Sequence, residues 1–66
     1  MSKCRADKLQ VGMKIKFEYG EPGNVIQSIV IGTREYDSKR TVVIFKLGRY
    51  SSDMVVYNDQ EIEVIE

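Results

Sequence analysis

Basic and aromatic side chains that could bind a ligand are concentrated in the middle of the chain. The basic residues of this region are Arg34, Lys39, Arg40, Lys46 and Arg49, and two tyrosines, Tyr36 and Tyr50, lie close to them in sequence. Basic groups bind phosphates and aromatic rings stack on bases, so this set could form a nucleic-acid surface. Glu35 and Asp37 are interleaved with it and would reduce the positive field that phosphate binding needs.

The same residue types also suit a protein interface, where tyrosine and arginine are enriched. The chain has four tyrosines and no tryptophan. Tyr19 and Tyr57 are assigned to the core, whereas the other two fall in predicted loops. We therefore predict a partner-binding site made of Tyr36, Arg40, Arg49 and Tyr50, with a protein or a second copy of the chain as the partner. The alternative is nucleic acid, bound by Arg34, Lys39, Arg40, Lys46 and Arg49.

Catalytic and metal-dependent functions are not indicated. The chain has no histidine and a single cysteine, Cys4, so the usual zinc ligands and imidazole-based catalytic triads are missing. Glu61 and Glu63 alternate along a predicted strand, and a solvated strand face explains them better than an acid–base pair does. We expect no enzyme activity, no cofactor and no small-molecule substrate.

The cysteine content and the first residues bear on the cellular setting. A single cysteine cannot form an internal disulfide and favours a reducing compartment. The opening MSKCRADK lacks the apolar core of a signal peptide, and the chain has no apolar run of membrane-spanning length. We expect a cytoplasmic protein that does not associate with membranes.

The chain has 66 residues, and its positive and negative charges balance overall but are unevenly distributed along it. Residues 1–16 hold five basic residues and one acid, and residues 50–66 hold five acids and no base. Antiparallel pairing of the first and last strands would explain this by placing Lys14 and Lys16 near Glu61 and Glu63. Two oppositely charged interaction tails are the alternative. A domain this small buries little apolar surface, so a partner subunit could be needed for stability.

Strands account for nearly all of the predicted structure. Arg40–Leu47, read RTVVIFKL, has apolar residues at both parities, which predicts a strand buried on both faces. Residues 13–19 alternate between apolar and polar, which predicts a half-buried strand, and residues 62–64 form the closing strand. Residues 54–57 are predicted to form a further strand. Val55 and Ile65 each lie on the less buried face of their strand, where they would be surplus apolar surface in a monomer.

Turns and bends separate these strands. Residues 20–24 contain the only proline and predict a turn. The strand over residues 25–33 should bend near Gln27 and Ser28 and again at Gly32. Residues 36–39 predict a hairpin tip, and residues 48–53 a polar loop. Residues 1–8 are polar and without period, so we expect a flexible N-terminal arm, with residues 9–66 forming one domain.

Five short strands without an amphipathic helix predict an all-β fold, a five-stranded small barrel. The layout of LQVGMKIKF, the turn GEPGNVI, a hairpin, a loop, and YNDQ before EIEVI resembles the Src-homology-3-type barrels of the KOW and Tudor kind over about residues 9–66. Such barrels bind proteins, RNA, DNA or modified peptides. The resemblance therefore implies a binding module, and the chain's size suits an accessory protein of a larger machine or of a virus or plasmid.

Overall fold

Six β-strands and one short 3₁₀ helix make up the structure, a computed structural model that describes residues 2–65. The strands are β1 (Ser2–Arg5), β2 (Lys14–Glu18), β3 (Val25–Glu35), β4 (Arg40–Leu47), β5 (Tyr50–Tyr57) and β6 (Glu61–Ile65), and the 3₁₀ helix is Ala6–Lys8. Met1 of the predicted arm and Glu66 of the predicted domain lie outside the described residues. Within residues 2–65 no helix is long and apolar enough to cross a membrane.

All strand pairs are antiparallel, in the order β1-β6-β2-β3-β4-β5. Strand β3 is the longest and takes part in both halves of the sheet. Its first half, residues 25–29, pairs with β2, and its second half, residues 30–35, pairs with β4. The register shifts between Val30 and Gly32, and a bulge of this kind bends a strand and increases its twist. The sheet therefore folds over on itself along β3.

The core lies between the two halves of the folded sheet. Its largest side chains are three aromatics in edge-to-face contact: the Phe45 ring centroid lies 4.8 Å from that of Phe17 and 5.3 Å from that of Tyr19. The Tyr19 hydroxyl also shares a hydrogen bond of 2.8 Å with the Ser52 hydroxyl on β5. Aliphatic residues fill the remainder; the buried ones are Ala6, Leu9, Ile15, Val30, Val43, Val56 and Ile62. The core assignment of Tyr19 is confirmed.

The all-β class is confirmed, but the predicted small barrel of five strands is not. The described residues form six strands, and β1 and β5 are unpaired edges of an open sheet. The sixth strand comes from the segment expected to be a flexible arm. Ser2–Arg5 pairs with β6 as β1, and Ala6 just after it is fully buried. Residues 2–8 are therefore built into the sheet and the core.

The two strands with the clearest patterns lie where the sequence places them. Strand β4 spans Arg40–Leu47, lies between β3 and β5, and is buried on both faces over most of its length. Along β2, Ile15 and Phe17 are buried and the residues between and beside them are not. The predicted antiparallel pairing of β2 with β6 is also confirmed, with Lys16 opposite Glu63. Lys14 lies opposite Ile65 instead, and Glu61 lies opposite Arg5 of β1. The bend of β3 lies between Val30 and Gly32, beside the predicted Gly32 position rather than at Gln27 and Ser28.

The polar loop predicted over residues 48–53 is wrong. Only Gly48 and Arg49 form the connection, because β5 already begins at Tyr50, directly opposite Leu47. Gly48 has a φ of 62°, and glycine at the first position of a two-residue connection is typical of a tight β-hairpin. Ser51, Ser52 and Asp53 therefore extend the strand, and β4 and β5 pair along eight residues each.

Candidate binding surface

The four residues predicted to form a partner site lie at opposite ends of β4. Tyr36 and Arg40 belong to the β3–β4 connection and the first position of β4, whereas Arg49 and Tyr50 follow its last position. A strand advances about 3.3 Å per residue, so the eight residues of β4 separate the two pairs by roughly 25 Å. The structure brings Tyr36 and Arg40 together and does not bring them together with Arg49 and Tyr50.

A different set of side chains shares one face with Tyr36 and Arg40. Directly opposite residues of an antiparallel pair project to the same side of the sheet. Arg40 lies opposite Tyr57, and Val42 lies opposite both Arg34 and Val55. Because Thr41, Val43 and Phe45 face inward, this second set faces outward. We call Tyr36, Arg40, Val42, Val55 and Tyr57 the outer-face cluster.

The outer-face cluster combines a packed centre with exposed aromatic and aliphatic surface. Val42 is only 3% exposed although it faces away from the core cluster, so neighbouring side chains of the outer face must cover it. Tyr36, Val55 and Tyr57 around it are 55%, 46% and 60% exposed. Exposed aromatic and aliphatic surface does not stabilise a monomer, whereas burying it against a partner would stabilise a complex. The cluster is therefore the best candidate surface for a partner.

Arg40 is held in place at one end of the cluster. Its guanidinium Nη2 lies 2.6 Å from Asp37 Oδ2, its Nε donates to the same oxygen at 2.8 Å, and its Cζ lies 4.8 Å from the Tyr36 ring centroid. The hydrogen bond that Arg40 donates to Asp37 is the main cause that raises the pKa of Arg40 and lowers the pKa of Asp37. The arginine is thus oriented, and its charge is largely offset.

Asp37 also organises the hairpin tip, because its Oδ1 accepts hydrogen bonds from the backbone N–H groups of Lys39 at 2.9 Å and Arg40 at 2.8 Å. An Asp37→Ala variant should lose both bonds, and we expect these two amides to exchange with solvent roughly tenfold faster. Asp37→Asn keeps the accepting oxygen and should lose only the ion pair. Amide hydrogen exchange followed by NMR measures both variants.

The pH dependence of the tip follows from the lowered pKa of Asp37. A depressed carboxyl pKa stabilises the fold above the unfolded-state value of about 3.9 and ceases to do so as the pH falls through the folded-state value. Protection of the Lys39 and Arg40 amides should therefore decrease below about pH 4 in the wild type, and less in Asp37→Asn. Equal acid sensitivity of the two proteins would contradict this role for Asp37.

The five basic residues predicted to bind nucleic acid do not converge. Arg34 lies opposite Val42 on the outer face, and Lys39 lies at the hairpin tip beside Arg40. Lys46 and Arg49 lie at the other end of β4, where Lys46 and Lys14 line a separate surface depression of about 390 Å³. A single phosphate backbone would meet at most three of the five residues on the outer face.

Tyr57 is the site residue that the sequence prediction missed, because its assignment to the core is wrong. Strand residues alternate between faces, and Val56 faces the core at 7% exposure, so Tyr57 and Val55 must both face outward. The predicted surplus of Val55 is confirmed by its exposure of nearly half. Ile65 is half-buried. The sequence did contain the signal for Tyr57, because Tyr57 lies two positions after Val55 and must share the outward face already predicted for Val55.

Metal ligands are not grouped in the part of the chain that the structure describes: no three His, Cys, Asp or Glu side chains come together there. Cys4 is a half-buried free thiol. Its Sγ donates to the carbonyl oxygen of Arg5 at 3.4 Å, so the thiol has a local partner. The outer-face cluster is therefore the arrangement on which a functional proposal can be based.

Comparison with known proteins adds no assignment to this geometry. No protein-family model matches the chain, and no curated protein or solved structure matches it. The candidate site rests on the register of β3, β4 and β5 and on the exposure of the side chains that this register places together.

Proposed function

We propose that this protein is a non-catalytic interaction module that binds a protein partner through the outer-face cluster. The observation that carries the proposal is the exposure of Tyr36, Val55 and Tyr57 on one face of a regular sheet, around an arginine that Asp37 already orients. Rigid aromatic groups supply contact area at low entropic cost, and an oriented arginine loses little freedom on binding. Such a surface suits binding rather than catalysis.

The proposal also covers the type of β fold. Two sheet halves that share one bent strand and enclose an aromatic core support a small barrel of the Src-homology-3 type, in which β1 and the 3₁₀ helix are additions to the five predicted strands. Proteins with this fold carry many unrelated functions. The fold is thus compatible with a binding module but does not select the ligand.

The expected partner presents apolar side chains together with a carboxylate. Tyr36, Val55 and Tyr57 offer the apolar contact, and Arg34 lies beside them, directly across from Val42. Within residues 2–65 Arg34 has no acidic side chain within 4.0 Å, so its charge is available at the border of the cluster. Electrostatic complementarity of this kind adds specificity to apolar burial.

Nucleic acid is the less favoured ligand. Asp37 largely offsets the charge of Arg40, and Lys46 and Arg49 lie too far along β4 to join Arg34 and Lys39. Phosphate binding depends on several uncompensated charges acting together. A mixed-sequence single-stranded oligonucleotide is nevertheless included in the test, because the two exposed tyrosines could stack on bases.

Selection of binders from a library of random linear peptides, followed by titration of the selected peptides, tests the proposal. We expect peptides rich in apolar and acidic residues, and we expect Tyr36→Ala and Tyr57→Ala each to weaken their binding at least about tenfold, as truncation of an interface hot spot does. Tyr50→Ala is the matched control, because Tyr50 is 79% exposed but lies at the other end of β4.

Two results would overturn the proposal. One is a set of peptides whose binding is lost in Tyr50→Ala and retained in Tyr36→Ala and Tyr57→Ala. The other is tight binding of the oligonucleotide that weakens steeply with added salt and with Arg34→Ala, since that dependence is the signature of phosphate contacts. Circular dichroism of each variant checks the fold, and we expect an intact sheet because all the substituted side chains are exposed.

A further inference from the structure

Strand β5 forms an open edge of the sheet with few of the features that usually protect one. It pairs with β4 along its whole length and has no second neighbouring strand within residues 2–65. Its sequence YSSDMVVY contains no lysine, proline or glycine, and no bulge interrupts its pairing. Edge strands are normally shortened, bulged or charged to prevent further pairing. Asp53 is the single charge on this edge.

The register identifies the backbone groups that this edge presents. Leu47 and Tyr50 flank the two-residue turn, and at the other end of the hairpin the Asn58 N–H donates to the Lys39 carbonyl oxygen at 2.8 Å. Hydrogen-bonded and non-hydrogen-bonded pairs alternate along an antiparallel ladder, so the even-numbered residues of β5 bond to β4. The N–H and C=O groups of Ser51, Asp53, Val55 and Tyr57 therefore point away from β4.

We propose that a second copy of this chain pairs with this edge, β5 against β5 in antiparallel orientation, about a two-fold axis at Val55. In this register Val55 lies opposite Val55 of the second copy, and Asp53 lies opposite its Tyr57. The Val42–Val55 row of one sheet then continues into the same row of the other. An axis at Asp53 would instead place two carboxylates opposite each other, which is destabilising.

A surface cavity adjoins this edge of the sheet. Its volume is about 510 Å³, and it is lined by residues 54–56 of β5 on one side and by Phe17, Tyr19 and Ile62 among others on the other side. Pairing would also cover Val55, which is 46% exposed. A domain of this size has little core of its own, so a joint sheet adds burial that the monomer lacks.

The proposed dimer joins two outer-face clusters on one continuous sheet. It does not depend on the proposed function, since it rests on the backbone edge of β5 and is measured without any ligand. Tyr36→Ala separates the two: Tyr36 lies on the β3 side of Arg40, away from the edge, so this variant should lose peptide binding and keep the dimer. A wild-type chain that binds the selected peptides but stays monomeric at every concentration would reject only the pairing.

Sedimentation equilibrium of the full chain from micromolar to near-millimolar concentration tests the pairing. We expect a reversible dimer in the wild type and a dissociation constant at least about tenfold larger in Val55→Lys, which places two ammonium groups opposite each other at the axis. Val25→Lys is the matched control, because Val25 is a β3 residue exposed to the same extent, 48%. It should leave the dimer unchanged.

Disulfide trapping tests the register. Directly opposite hydrogen-bonded residues have Cα atoms about 5.5 Å apart, which a disulfide can span. Val55→Cys in a Cys4→Ser background should therefore cross-link on mild oxidation, and Asp53→Cys in the same background should not. A wild-type monomer at every concentration, a dimer weakened by Val25→Lys but not by Val55→Lys, or cross-linking at position 53 instead of 55 would each overturn the proposal.

Discussion

A Phe45→Ala variant is expected to be largely unfolded in dilute buffer at room temperature. Phe45 is completely buried on β4, and its ring is the common neighbour of Phe17 and Tyr19 in the core. Truncating a buried phenylalanine costs about 3–5 kcal/mol. At about 0.05–0.15 kcal/mol per residue, the total stability of a chain of this length is roughly 3–10 kcal/mol. One substitution therefore removes a large part of what keeps the domain folded.

Amide NMR dispersion and urea denaturation of the purified variant measure this effect. Leu47→Ala provides the control, because Leu47 lies on the same strand but is 39% exposed, so its truncation should leave the spectrum native-like. A Phe45→Ala protein with native dispersion and an unchanged urea midpoint would show that the two sheet halves do not depend on the aromatic contact. The packing described for the core would then be wrong.

Apolar periodicity explains why β2 and β4 are predictable from the sequence. Ile15 and Phe17 alternate with charged residues, and only one face of such a strand can be buried. Residues 42–45 are apolar at both parities, which requires a strand that is covered on both faces. In both cases burial of the side chains determines the structure, and the side-chain pattern is visible in the sequence.

The extent of β5 is a case in which backbone pairing determines the structure instead. Ser51, Ser52 and Asp53 carry no apolar signal, and their polarity suggested a loop. The Gly48–Arg49 turn starts the ladder at Leu47 and Tyr50, and every second pair after it then adds backbone hydrogen bonds whatever its side chains are. A two-residue turn beginning with glycine was the signal that would have revealed this hairpin.

The candidate site shows the limit of reading proximity from sequence. Arg40 and Arg49 are nine positions apart, yet a whole strand separates them, whereas Arg40 and Tyr57 are far apart in sequence and lie side by side. The sequence correctly placed Tyr36 and Arg40 together, because only the three residues of a hairpin tip separate them. Tyr57 required the register of β4 with β5, which depends on where the hairpin turns.

An Ala6→Asp variant is expected to lose most of the native stability, although Ala6 lies in a segment that is polar and charged in sequence. In the structure Ala6 is completely buried, and its N–H donates to the carbonyl oxygen of Gln60 at 2.8 Å. The 3₁₀ helix that contains it packs against β4 and β5 and follows β1, which is paired with β6. An unpaired carboxylate in such a position costs several kcal/mol.

Urea denaturation of Ala6→Asp beside Lys8→Asp separates burial from charge. Lys8 belongs to the same 3₁₀ helix but is exposed, so its replacement changes the local charge without placing a carboxylate in the core. We expect a much lower midpoint for Ala6→Asp and nearly the wild-type midpoint for Lys8→Asp. Equal midpoints near the wild-type value would mean that Ala6 contributes no core contact and that residues 2–8 behave as a mobile arm. A low midpoint for Ala6→Asp alone would mean instead that β1 and the 3₁₀ helix fold together with the rest of the sheet.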